Sequence, residues 1–151
     1  MAVLLVCVAC AGNEPDGTER GLLILERAGP DRGVLAELQA AANYCARDTT
    51  FSIVASSPEW ATAIAVRAPW PVDSASAFDI DSAPGTAGRA AFAARVLRDS
   101  VQIAMVGQAG RVMLDPGRVQ TGRFEASVLQ DSMTVELTGR FEGLTVVERC
   151  P

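Results

Sequence analysis

Apolar and polar residues alternate with a period of two along most of the chain beyond residue 50. Phe51, Ile53 and Ala55 share one face, and Trp60, Thr62, Ile64, Val66 and Ala68 share another. Phe78 and Ile80 flank Asp79, and Val101, Ile103 and Met105 alternate, as do Val112 and Leu114. Phe124, Ala126 and Val128 alternate with Arg123, Glu125 and Ser127, and Met133, Val135, Leu137 and Phe141 with Thr134, Glu136, Thr138 and Arg140. A strand with one buried face has this period. Turn-forming residues separate the runs at 28–33, 47–50, 56–58, 69–71, 83–85 and 115–117. Short strands with a turn roughly every 8–12 residues predict an all-β fold, an antiparallel β-sandwich or partly closed barrel of about 8–10 strands.

Residues 34–46 and 89–98 are less clear. Both are rich in helix formers, and Val34, Leu35, Leu38, Ala42 and Cys45 would line one helical face. Yet Leu38, Ala40, Ala42 and Tyr44 also alternate, as do Ala90, Phe92, Ala94 and Val96. All 13 basic residues are Arg and alanine is abundant, which suggests a GC-rich genome. Alanine then says little about helix, so both segments read as strand; one short helix remains compatible with the pattern.

Thr-Gly-Arg-Phe-Glu occurs twice, at 121–125 and 138–142. The spacing is too short for a solenoid unit and fits the two arms of one hairpin. A turn at Gln130-Asp131 would pair Phe124 with Leu137, Val128 with Met133 and Glu125 with Glu136. The glycines before each Phe could mark bulges.

The amino terminus has another character. Residues 2–9 are apolar and uncharged, Cys10 follows Ala9, and 11–21 are polar and rich in Gly, Pro and acid. The apolar run is too short for a membrane-spanning helix and fits the core of an export signal. Cys7 and Cys10 have Cys-x-x-Cys spacing, but inside an apolar run at the chain end this favours export over redox or metal chemistry. The segment resembles the lipobox of bacterial lipoproteins, and the two ends of the chain are similar to those of uncharacterised members whose small all-β domain closes in a Gly-x-Phe hairpin. The resemblance implies residues 1–10 as a signal ending at a lipidated Cys10, 11–21 as a tether, and 22–151 as a single β domain. It implies attachment to a membrane of the bacterial cell envelope through the lipid, and no specific biochemical role.

Export changes the reading of Cys45 and Cys150. They are the cysteines of the folded part, and an even pair in an oxidising compartment predicts a structural disulfide. Histidine is absent, which excludes Ser-His-Asp and Cys-His catalysis. The net charge of −5 disfavours nucleic acid as a partner.

Few residues offer chemistry. Asp73, Asp79 and Asp81 could suit Ca²⁺ by type, but the twelve-residue calcium loop is lacking and they read as solvated acids. Trp60 heads an alternating face and reads as core. Trp70, between Pro69 and Pro71, is the weak ligand-contact candidate, with capping of the core as the plainer role. Glu125, Glu136, Glu142 and Glu148 interleave with Arg123, Arg140 and Arg149 and read as a solvated, salt-bridged face. No catalytic residue, metal site or cofactor is predicted. The expectation is a membrane-tethered, non-enzymatic β domain that binds an envelope protein or glycan or serves the envelope structurally. The alternative is an envelope hydrolase built on paired carboxylates.

Overall fold

The computed structural model describes residues 20–83 and 85–151. The expected lipidation site at Cys10, the expected signal segment and residues 11–19 of the expected tether lie outside the described residues.

The described residues form nine strands: β1 (Gly21–Arg27), β2 (Gly33–Cys45), β3 (Thr50–Ser56), β4 (Trp60–Arg67), β5 (Ser76–Asp79), β6 (Ala90–Arg98), β7 (Val101–Leu114), β8 (Val119–Gln130) and β9 (Met133–Glu148). Eight of them close into an antiparallel barrel in the order β1-β2-β3-β4-β6-β7-β8-β9, with β9 returning to β1. Beyond Gly21, the first residue of β1, β2 and β9 meet directly as a short parallel pair. The four-residue β5 pairs with Arg111–Leu114, the end of β7 that runs past β6. Closure pairs the strand edges within the ring, which an open sandwich would leave exposed.

Alternation decides what faces inward. Leu23 and Leu25, Leu38 and Ala40, Phe51 and Ile53, Ile64 and Val66, Phe92 and Ala94, Val112 and Leu114, Phe124 and Val128, and Leu137 and Phe141 are all buried, a pair from each strand of the ring. They fill the interior with one continuous core. Both ambiguous segments are strands, β2 and β6, and no helix occurs among the described residues. On β2, Leu38, Ala40, Ala42 and Tyr44 point in, while Glu37, Gln39 and Ala41 are exposed. Val101 and Met133 depart from expectation. They are 60% and 64% exposed, because each begins a strand straight after a two-residue turn, beyond the packed interior.

The hairpin register also differs from the expected one. The turn is Asp131-Ser132, so Phe124 pairs with Gly139 rather than Leu137, Val128 with Val135 rather than Met133, and Glu125 with Thr138 rather than Glu136. Steric complementarity explains the shift. A Cβ on Gly139 would lie 2.5 Å from the Phe124 ring, and one on Gly122 would lie 2.6 Å from the Phe141 ring. Each repeat supplies a ring to the other's glycine, so the two copies lock antiparallel as Gly-Arg-Phe against Phe-Arg-Gly. Only Gly122 adjoins a bulge, at Thr121.

Two buried side chains among the described residues, Thr62 and Gln120, break the apolar rule. Thr62 is 3% exposed, and its hydroxyl has no hydrogen-bond partner. A buried hydroxyl without a partner costs about 1–3 kcal/mol, so Thr62→Val, which keeps the shape, should raise stability by roughly 1 kcal/mol. Urea denaturation measures this, and a loss of stability would show that the hydroxyl is satisfied.

Candidate functional site

The two ends of the barrel are built differently. At one end the β2–β3, β4–β5 and β7–β8 connections converge with the chain's last residues. Cys45 is bonded to Cys150, their Cα atoms 4.5 Å apart. That distance suits a disulfide and ties the tail after β9 to the end of β2. The Arg149 amide donates to the Tyr44 carbonyl at 2.9 Å, beside this bond.

Trp70 closes the same end. It is half-buried, with its ring stacked on Phe51 at 6.2 Å between centroids and tilted against Tyr44 at 5.9 Å. Its indole Nε1 donates to Oε1 of Gln120 at 2.9 Å. Gln120 is fully buried, and its Nε2 donates to the carbonyls of Asp115 and Thr121 at 2.9 and 2.6 Å. A buried amide satisfied this way fixes the position of its partner. Trp70 thus packs as a plug on the core, the plainer of the two roles expected for it. Gln120 gave no signal in the sequence, since it lies in a polar stretch beside a bulge.

The other end is open. It carries the short turns after β1, β3, β6 and β8. Inside these turns is a cavity of about 230 Å³, floored by Leu35, Trp60, Val96, Met105, Val135 and Leu137. Its rim is formed by Arg27, Arg98, Gln130 and Met133. Leu35 reaches the cavity from a β-bulge: Leu25 pairs with Ala36 and Glu26 with Val34, which leaves Leu35 as the extra residue. Bulges re-aim side chains in this way at barrel rims. Arg27 and Arg98 are exposed, and neither makes a salt bridge among the described residues. Trp60, read from the sequence as core, is 8% exposed and is both core and cavity floor. The sequence signal for this end was Leu35 and Met133, apolar residues beside turns where polar ones are usual.

The other candidates lie elsewhere. Asp79 is held by Arg89 at 3.4 Å and Arg111 at 3.3 Å, and Asp81 accepts from the Ala83 amide at 3.0 Å. No group of three metal-ligating side chains occurs among the described residues. Glu125, Glu136, Glu142 and Glu148 are all exposed on the outer surface. Glu136 accepts from the Ser127 hydroxyl at 2.6 Å, and Arg123 stands opposite Arg140 rather than opposite a glutamate. The chain matches no family model, no curated protein and no solved structure.

Proposed function

We propose that this chain is an exported, lipid-anchored β-barrel that binds a small amphipathic anion in its open mouth and does not transform it. The observation that carries the reading is the contrast between the ends: one sealed by a disulfide, a tryptophan and a buried amide, the other an apolar cavity rimmed by two arginines. Barrel mouths are common small-molecule sites. A cavity of about 230 Å³ is below the ~300–1,000 Å³ usual for drug-sized ligands, so the ligand is a short chain or a single ring. The apolar floor takes its body, and the guanidiniums of Arg27 and Arg98 take a carboxylate or similar head.

Binding without catalysis is supported by what lines the mouth. Leucine, valine, methionine, tryptophan, glutamine and arginine line it, and none of these is a usual nucleophile or general acid–base at neutral pH. The exposed glutamates sit on the barrel's outer wall, outside this cavity. Export is supported by the Cys45–Cys150 bond, since such bonds persist in oxidising compartments. Lipid attachment at Cys10 and the bacterial envelope as location rest on the amino-terminal sequence pattern.

Octanoate is a suitable probe, because the chain has two tryptophans and one of them floors the mouth. Saturable binding should change the emission of the wild type and of Trp70→Phe, but not of Trp60→Phe. Arg98→Glu should weaken binding by about tenfold or more, through loss of one charge-assisted contact. An emission change that survives in Trp60→Phe, or no saturable binding at all, would reject the mouth as the site.

A further inference from the structure

The repeated Thr-Gly-Arg-Phe-Glu segments create a second feature, on the outer wall and independent of the mouth. Because the two copies pair antiparallel, Arg123 lies directly opposite Arg140. Like charges opposite one another on neighbouring strands are unfavourable, and both point away from the core. Neither donates a hydrogen bond to a carboxylate among the described residues. Arg123 donates its Nε to the thioether sulfur of Met113 at 3.3 Å, and the carboxylate paired with Arg140, that of Glu26, is 3.9 Å away, beyond hydrogen-bond reach.

A shallow groove runs on each side of this pair, about 480 Å³ on one side and 510 Å³ on the other, and both arginines line both grooves. The first groove also holds Asp115 and the second Glu26; from the repeats, the first holds Thr121 and Glu142, the second Thr138 and Glu125. These are equivalent positions of the two repeats, exchanged. The repeats therefore give the wall a local two-fold arrangement, with two guanidiniums at the centre and a hydroxyl with a carboxylate in each flanking groove, to which Asp115 adds a second acid on one side and Glu26 on the other.

We propose that this surface binds a phosphodiester flanked by hydroxylated groups, of the glycerol-phosphate-glycerol kind. The two non-bridging oxygens of a diester match two guanidiniums, one each. A diester carries a single negative charge, so the glutamates on either side repel it less than they would a phosphate dianion. Glu125 and Glu142 accept hydrogen bonds from hydroxyls on either arm. The symmetry of the site matches a linkage that is alike on both sides. A lipid headgroup and a free or polymeric polyol diester share this chemistry.

Calorimetric titration of the full chain with soluble glycerophosphoglycerol tests the proposal. Saturable binding should be several-fold tighter than to inorganic phosphate. Arg123→Gln and Arg140→Gln should each weaken it by about tenfold or more, and to a similar extent. Arg149→Gln, an exposed arginine at the sealed end, should leave it unchanged, as should Trp60→Phe in the mouth. Both arginine variants should keep the wild-type melting temperature or exceed it, since each removes a like-charge pair. Binding that depends on Arg123 and Arg140 in phosphatidylglycerol vesicles supports the lipid source, and such binding to the soluble diester alone supports the free or polymeric one. No binding to either form, equal affinity for inorganic phosphate, or equal loss in Arg149→Gln would overturn the site.

Discussion

Replacing Cys150 by Ser should lower the stability of the folded chain by roughly 4 kcal/mol. The bond closes a loop of 105 residues between Cys45 and Cys150. Restricting the unfolded chain over a loop of that length stabilises the native state by about 4–5 kcal/mol in the chain-entropy account. The local setting makes the loss specific. The bond holds the tail beyond β9, and with it the short parallel pairing of Ala42–Tyr44 with Val146–Glu148. Urea denaturation with and without reductant should give the wild type and Cys150→Ser different midpoints when oxidised and nearly the same midpoint when reduced. Octanoate binding measured well below the new melting temperature should persist, because the mouth is at the opposite end. Loss of binding without loss of stability would make Cys150 a functional thiol.

Gly139→Ala should be nearly as damaging, although it adds one methyl group. The new Cβ would lie 2.5 Å from the Phe124 ring and closer still to the Ile24 carbonyl oxygen of the neighbouring strand. Neither can yield cheaply, since Phe124 is 2% exposed in the packed interior and Ile24 belongs to the β1–β9 ladder. Overpacking of a core costs about 1–3 kcal/mol, and a clash with backbone places this change at the upper end or beyond, about 3 kcal/mol. Gly122→Ala should behave alike, against the Phe141 ring and the Met113 carbonyl. By contrast Gly33→Ala, where an added Cβ meets nothing within 4 Å, should be close to neutral. Thermal melts of the three variants measure this. Equal melting temperatures for Gly139→Ala and Gly33→Ala would remove the steric account of the repeat.

That repeat shows where the sequence was legible and where it was not. The hairpin could be read from two copies in one short stretch with polar residues between them. Its register could not, because a shift of two residues keeps every side chain on its own face and changes only the partners. The deciding information is the fit of a ring over a glycine, which is a property of pairs across strands. Alternation likewise identified β2 and β6 against their helix-forming composition, since period two reports a buried face and composition does not. Closure of the barrel was harder, because pairing of β7 with β8 and of β9 with β1 leaves the same alternation as a sandwich would. The disulfide was inferred from compartment and parity. The mouth was nearly invisible. Its floor is ordinary inward-facing residues, and its distinguishing features are a bulge at Leu35 and two arginines, Arg27 and Arg98, which end strands far apart in the chain. Gln120 shows the same limit, as a polar residue whose burial depends on Trp70, which is 50 residues away in sequence.

The central claim is that the barrel takes its ligand at one end only. Amide and methyl chemical-shift mapping of the full chain during an octanoate titration tests it most directly. The account predicts saturable shifts at Leu35, Trp60, Val96, Met105, Val135 and Leu137, with Tyr44, Trp70 and Gln120 unmoved. Shifts centred on the sealed end or spread over the outer wall, or none at saturating octanoate, would contradict it.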